Sequence, residues 1–330
     1  MLRAGEEINR LRWKELRPRL LRMSVTDRCN FRCRYCMPPG GVPKLRHGDL
    51  LSLEEMARLA GWLTTRVGIE RIKLTGGEPL VRRDLNELVK QLAEIPGIAE
   101  VSLTTNGSRL SQQAEKLKAA GLARVNVSLD SLDGARFHEL TRGGRLEDTL
   151  AGISAAVAAG LVPIKLNSVL QRSSWLQDVP RLLDYAAANG FELRFIELMR
   201  TGTERVWCDS EFLAASRVQL WLLEQGRFVP TISAECGPAR SSQVSWRGVN
   251  LTVGWITPRS HPFCQSCERL RLDARGRLYR CLMDPGFFDL RSTLRACGER
   301  ETEEELAQYL AAKSVPLAMD NASAMSLIGG

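Results

Sequence analysis

Three cysteines near the start of the chain, Cys29, Cys33 and Cys36, stand in a C-x3-C-x2-C triplet, with Tyr35 directly before the last thiol. Thiolates are soft ligands suited to iron–sulfur clusters or to zinc. A spacing this tight supplies three corners of such a site and leaves another metal position open for chemistry. A closed structural zinc site needs a fourth protein ligand. On spacing alone the cluster reading and the zinc reading both stand, because C-x2-C elements occur in each. A second set, Cys264, Cys267 and Cys281, reads C-x2-C-x13-C. His261 lies three residues before Cys264 and could complete a zinc ribbon there. Cys208, Cys236 and Cys297 stand alone and read as ordinary free thiols.

Two further patterns can carry chemistry. In Thr75-Gly76-Gly77-Glu78-Pro79, consecutive glycines would let a backbone approach a ligand where a side chain would clash. Alone, such a turn more often just terminates a strand. Arg269 and Arg271 are two apart, so an extended segment projects both to one face, which suits gripping a phosphate chain. Their plainer reading is a solvated basic strand.

The elements that must position these residues follow from the hydrophobic pattern. Short strand-like runs at 20–26, 71–76, 101–106, 124–130, 163–169 and 192–198 alternate with helical patterns. Six such repeats predict a parallel sheet or an incomplete barrel, with ligands at the carboxyl ends of the strands. The polar stretches 75–79, 104–107 and 128–130 would then converge. Ser52 with Glu55 predicts a capping box that opens a helix through Met56, Leu59 and Leu63, and Gly160 and Gly190 stop later helices. After a helix at about 212–225 the rhythm changes to Gly, Pro and short alternating runs such as 246–256. This predicts a core over 1–230 and a smaller unit over 231–330, which ends in a Glu-rich helix from about Glu299 and a Gly329-Gly330 tail.

Composition limits the partners. The balance of 46 basic against 38 acidic residues, a net charge of +8, favours an anionic ligand. The basic residues are dispersed and match no nucleic-acid module, while the arginines beside the second cysteine set point to a small phosphate compound. The first twenty residues are rich in Glu, Arg and Lys and lack the apolar segment of a secretory signal. The longest apolar stretch, 153–164, is far below the roughly 20 residues that cross a bilayer. A cytoplasmic chain without membrane or nucleic-acid contact is therefore expected, with thiols serving as ligands before disulfides.

The triplet at 29–36 together with Gly76-Gly77-Glu78-Pro79 resembles the radical S-adenosylmethionine enzymes. The stretches 21–31, 124–132 and 193–199, the second cysteine set with Arg269-Leu270-Arg271-Leu272, and the closing Gly329-Gly330 extend the likeness to the GTP 3′,8-cyclase family of molybdenum cofactor biosynthesis. That resemblance spans almost the whole chain. It implies an α/β fold, an incomplete (β/α)6 barrel with a smaller carboxy-terminal domain, and two 4Fe-4S clusters. Cys29, Cys33 and Cys36 would hold the first cluster, Cys264, Cys267 and Cys281 the second, each with one iron open.

The resemblance assigns Tyr35, Gly77, Ser128 and Met199 to S-adenosylmethionine. To GTP it assigns Arg22, Lys73, Thr104, Lys165, Arg194 and the segment Arg269, Leu270 and Arg271. Hydrogen abstraction from ribose carbon 3′ and attack on guanine carbon 8 would follow, with Arg22 assisting the final reduction in a catalytic role. A reducing electron donor, a homodimer and transfer of product to cyclic pyranopterin monophosphate synthase are also implied. Two departures stand out. Lys73 replaces the usual Arg and loses its planar fork, and Glu268 puts a negative group after Cys267 where Asn is usual. Among the alternatives, a radical peptide-modifying maturase leaves Arg269 and Arg271 unexplained, and a zinc-stabilised binding protein predicts colourless protein with zinc and no iron.

Overall fold

The computed structural model describes residues 18–201, 204–229, 239–264, 267–284, 286–296, 298–311 and 325, apart from the His47 side chain. The amino-terminal 17 residues, Cys236, Cys297 and Gly329-Gly330 lie outside the described residues.

Six strands alternate with helices as the sequence predicts. They are β1 (Leu20–Ser24), β2 (Arg71–Thr75), β3 (Glu100–Thr105), β4 (Arg124–Ser128), β5 (Lys165–Leu170) and β6 (Glu192–Glu197), paired in parallel and in chain order. The helices between them are α1 (Leu53–Val67), α2 (Leu85–Ala93), α3 (Ala114–Ala119), α4 (Gly134–Thr141), α5 (Leu146–Ala158) and α6 (Trp175–Asn189). Each strand tip differs from its expected end by one or two residues, where the chain turns into the loops that build the site. Ser52 and Glu55 form the capping box of α1, and Gly190 closes α6 at φ 67°. At the end of α5 the cap residue is Ala159, with Gly160 at φ 72° one step beyond.

After α7 (Arg205–Ser210), α8 (Ala215–Glu224) and β7 (Phe228–Val229), an antiparallel pair β8 (Arg240–Trp246) and β9 (Val249–Ile256) follows. The expected single run at 246–256 is thus the end of one strand, a turn at Arg247-Gly248 and a second strand. Both turn residues have positive φ, 48° and 82°, as a two-residue hairpin turn requires. The chain finishes with β10 (Arg269–Leu272), β11 (Arg277–Tyr279), β12 (Phe288–Asp289), α9 (Leu290–Ala296) and α10 (Gly298–Ala311).

These later strands join the same sheet. β10 lies parallel to β1 and β9 parallel to β6, so the order is β12-β11-β10-β1-β2-β3-β4-β5-β6-β9-β8-β7 in one 12-stranded sheet. Among the described residues its two ends, β12 and β7, do not pair with each other, which leaves an incomplete barrel. Along each central strand, alternate residues separate the two faces. Leu21, Met23, Ile72, Leu74, Leu103, Val125, Val127, Leu166, Leu193, Phe195, Leu270 and Leu272 are buried under the helices. The intervening residues, Arg22, Lys73, Thr104, Asn126, Ser128, Asn167, Arg194, Arg269 and Arg271, face the interior. The outer face supplies the core, while the inner face is polar and available for a ligand. No described helix is long and apolar enough to cross a membrane.

Candidate active site

The inner face encloses a cavity of about 280 Å³. Its wall carries a band of positive charge. Register places Arg22 between Arg271 and Lys73 on neighbouring strands, and Asn167 beside Arg194. Burial, and then the charges of Arg271 and Arg269, hold the Arg22 guanidinium well below its ordinary pKa. Arg271 is lowered to about 10 by burial and by Arg269, against the opposing pull of the Cys281 and Cys267 thiols. Lys73, only 7% exposed, is pushed down by burial and by Arg124, Arg22 and Arg194. So many clustered cations are unfavourable alone and favourable around a polyanion.

Lys165 and Arg194 share Glu192 at 2.5 Å each. Arg194 lines the cavity; Lys165, on the same strand face as Asn167, does not, and it is half-buried and lowered by its own burial and by Arg194. Leu270 is fully buried in the outer core, because strand alternation turns it away from Arg269 and Arg271. Any contact it makes with a ligand comes from its main chain.

Two polar atoms on the wall identify a ligand-facing surface. Thr104 Oγ1 and Asn167 Oδ1 are buried without a hydrogen-bond partner among the described residues. A buried polar atom left in that state costs free energy of about 1–3 kcal/mol, which a bound polar group would offset. Asn126 and Asn167 were absent from the sequence-level site. Their signal was period-2 alternation: Asn126 lies two residues before Ser128, and Asn167 two after Lys165.

Tyr35, Ser128 and Met199 also line the cavity. The Tyr35 hydroxyl donates to Asp130 Oδ2 at 2.7 Å, and the Val169 N–H donates to Asp130 Oδ1 at 2.8 Å, so the cysteine loop is tied to β4 and β5 together. Burial raises the Asp130 carboxyl to about 6, against these two hydrogen bonds.

Gly76 and Gly77 allow a close approach of backbone to backbone. A Cβ on Gly77 would lie 2.3 Å from the Arg28 carbonyl oxygen, and one on Gly76 would lie 2.8 Å from that of Thr26. The two glycines therefore let the cysteine loop press onto the end of β2. Gly77 and Glu78 N–H donate to the Thr26 and Arg28 carbonyls at 2.8 Å, and Gly77 does not itself line the cavity. Glu78 accepts from Thr105 Oγ1 at 2.6 Å and from the Asn106 and Leu80 amides, locking the tips of β2 and β3 together. This carboxylate brings together two of the three polar strand ends expected to converge, 75–79 and 104–107.

Cys29, Cys33 and Cys36 sit half-buried on the loop after β1. The Cys29 thiol is pushed up to about 12 by burial, with Glu78 and Cys36 adding to the rise. Cys33 is likewise raised well above its ordinary value, by burial and by the neighbouring Cys36, Asp130 and Cys29. Three thiolates here need a cationic partner, which suits an iron–sulfur cluster. Among the described residues no three His, Cys, Asp or Glu side chains converge to hold a single metal ion.

Cys264, Cys267 and Cys281 line the cavity, whereas Cys29, Cys33 and Cys36 are not part of its lining. His261 is exposed and pairs with Ser260 Oγ at 3.1 Å. Glu268 forms an ion pair with Arg71 at 3.3 Å and does not line the cavity. Phe263, whose ring carries Arg269 at 5.0 Å, Arg280 and Met325 were missed at the sequence level. Met325 packs with Met199 and Cys281 against Tyr279, Leu282 and Met283, and its N–H donates to the Cys36 carbonyl at 3.2 Å. Only the fold brings these separate segments together.

The family model of the radical SAM superfamily matches residues 23–186, and that of Molybdenum Cofactor Synthesis C matches residues 191–316. A curated protein of Moorella thermoacetica named GTP 3′,8-cyclase is 43% identical over 94% of this chain and 97% of its own length. The chain belongs to the GTP 3′,8-cyclase family. A second member, from Mycolicibacterium smegmatis, is 44% identical over 90% of this chain and 82% of its own length. Among solved structures, Streptococcus suis SuiB bound to S-adenosylmethionine superposes with a TM-score of 0.62 at 16% identity. The match covers 82% of the cyclase-family chain and 61% of the SuiB chain, and it shows a shared radical SAM fold.

Proposed function

We propose that this chain converts GTP to (8S)-3′,8-cyclo-7,8-dihydroguanosine 5′-triphosphate, the first step of molybdenum cofactor synthesis. One observation carries the reading. A single cavity has clustered cations and unpartnered polar atoms on its strand wall, with Cys264, Cys267 and Cys281 in its lining. The near full-length likeness to curated GTP 3′,8-cyclases supports the same conclusion.

In this reading Cys29, Cys33 and Cys36 hold one 4Fe-4S cluster, and Cys264, Cys267 and Cys281, supplied by the part of the chain after residue 230, hold another. When bound, S-adenosylmethionine on the first cluster supplies hydrogen-abstracting one-electron chemistry at ribose carbon 3′, and the second cluster supplies an open iron for the substrate. Tyr35, Ser128 and Met199, with main-chain groups near Gly77, orient the cofactor. Arg194, Arg269, Arg271, Lys73, Lys165 and the Leu270 backbone receive the triphosphate, with Lys165 and Arg194 held together by Glu192. Thr104 offers its hydroxyl to the nucleotide. Arg22, crowded by Arg271 and Arg269, gains most from negative charge that develops nearby and serves catalysis by stabilising it. The strand wall and the apolar packing around Met199 and Met325 exclude water from reactive carbon centres. Family membership supports a homodimer in the cytoplasm that is fed by an electron donor and passes its product to cyclic pyranopterin monophosphate synthase.

Anaerobic reconstitution with iron and sulfide should give about eight irons per chain. Incubation with S-adenosylmethionine, dithionite and GTP should then release deoxyadenosine together with a cyclised GTP product. Deoxyadenosine without that product would reject GTP as substrate, and a content near four irons would reject the second cluster.

A further inference from the structure

The first cysteine loop is held by side chains that none of the foregoing roles uses. Arg142 caps α4 in the left-handed conformation, at φ 52° and ψ 58°. Glycine or asparagine would occupy that conformation at lower cost, so an arginine here implies a use for its side chain. Its Nη1 donates to the carbonyl oxygens of Arg32 and Met37, at 3.3 Å each. Those two residues bracket Cys33 and Cys36. Its Nη2 pairs with Glu204, the residue that opens α7.

Glu204 in turn accepts from Arg34 Nε at 3.3 Å, and the Arg34 guanidinium lies 4.6 Å from the centre of the Trp207 ring. Burial would raise the Glu204 carboxyl, but hydrogen bonds and charge from Arg142 and Arg34 outweigh it and hold the group below the usual range. Two main-chain bonds dock the same loop on α4: Arg32 N–H donates to the Thr141 carbonyl at 2.8 Å, and Arg34 N–H to that of Leu140 at 3.1 Å. Thr201, two residues beyond Met199, donates its hydroxyl to the Tyr35 carbonyl at 3.3 Å.

We propose that Arg142 and Glu204 are positioning residues that clamp the first cysteine loop between the end of α4 and the start of α7, presetting Cys33 and Cys36 for their cluster. The clamp also fixes the spacing between that loop and the chain just after β6, where Met199 lies. A guanidinium is suited to this task because its planar fork spans two carbonyls and a carboxylate at once, which a lysine ammonium cannot match. The inference rests on reading Cys29, Cys33 and Cys36 as cluster ligands, but its test is independent of substrate and turnover.

The full-length apo-protein, reduced and anaerobic, is alkylated with iodoacetamide, and each thiol is followed by peptide mass spectrometry. In Arg142→Gln, Cys33 and Cys36 should react about tenfold faster than in the parent, reflecting easier local opening. Cys264, Cys267 and Cys281 should stay near their parent rates and report general loosening of the fold. Arg142→Lys should recover part of the protection, and Glu204→Gln should give an intermediate acceleration. After reconstitution, the low-temperature EPR signal of the reduced first cluster should broaden in Arg142→Gln and sharpen again in Arg142→Lys. Unchanged Cys33 and Cys36 rates overturn the clamp, as does an equal rise in both triplets. Should Arg142→Gln fail to fold, Glu204→Gln decides by the same comparison.

Discussion

Thr104 and Asn167 show how a residue can be shaped for a ligand at the expense of the empty protein. Each buries a polar atom without a partner among the described residues. Replacing Thr104 by Val keeps the shape and removes the orphaned hydroxyl, so the apo-protein should gain about 1 kcal/mol in urea unfolding. GTP binding by calorimetry should weaken about fivefold to tenfold, for the loss of one hydrogen bond. A variant that loses stability, or binds GTP unchanged, would show that the hydroxyl does not face substrate. Asp130 makes a comparable case in pH. Its folded-state pKa is raised from 3.8 to about 6, chiefly by burial. A raised pKa means its contribution to stability is complete below pH 3.8 and is lost as pH rises through about 6. The Asp130→Asn variant has no such loss. Its apo-state stability relative to the parent should therefore improve by about 1–3 kcal/mol between pH 4 and pH 7.5. A difference in urea stability that does not vary with pH would refute this account. The residues named from sequence are mostly those with distinctive chemistry, the cysteines and the paired arginines. Asn126 and Asn167 escaped because an amide is informative only once its facing is known.

Helices and strands position these residues through contacts that no local pattern announces. Gly152 lies within α5, where a Cβ would stand 2.1 Å from the Gly107 carbonyl oxygen. The helix can thus press on the turn that ends β3, and Thr149 Oγ1 donates to the Asn106 carbonyl at 3.0 Å across the same contact. Gly152→Ala should push α5 away and cost about 1–3 kcal/mol, as other overpacked sites do. A drop in the urea midpoint at constant slope would register it, and an unchanged midpoint would show that α5 has slack. The capping box at Ser52 and Glu55 was legible because it is local, spanning a single helical turn. Glu55 also pairs with Arg291 at 3.1 Å and Arg295 at 2.5 Å on α9, a long-range use no local rule predicts. The Arg247-Gly248 hairpin was hidden for a related reason. Arginine is a poor signal for a left-handed turn position, and its ion pair with Asp184 at 2.8 Å accompanies it there.

At the scale of the whole molecule, β9 and β10 extend the parallel sheet on both sides, although both follow residue 230 in the chain. Val253 and Trp255 of β9 and Leu270 and Leu272 of β10 are almost wholly buried in the core shared with the first six strands. A chain cut at residue 230 should therefore expose two sheet edges and fail to fold cooperatively, giving aggregation in place of a single urea transition. A soluble, cooperatively unfolding 1–230 fragment would instead support the division drawn near that residue as a true domain boundary. The positions of the first six strands, the helices between them, both cysteine triplets and the Arg269–Arg271 alternation could all be read from the sequence. Each rests on short-range spacing, which the chain encodes directly. Only the tertiary structure decided that Gly76 and Gly77 admit the cysteine loop, that Glu268 turns to Arg71, and that Leu270 faces the core. It alone brought Met325 beside Cys36 and set Arg142 against Glu204. These outcomes depend on register and on close approach between segments far apart in the chain, and such distances are set by packing the whole sheet at once.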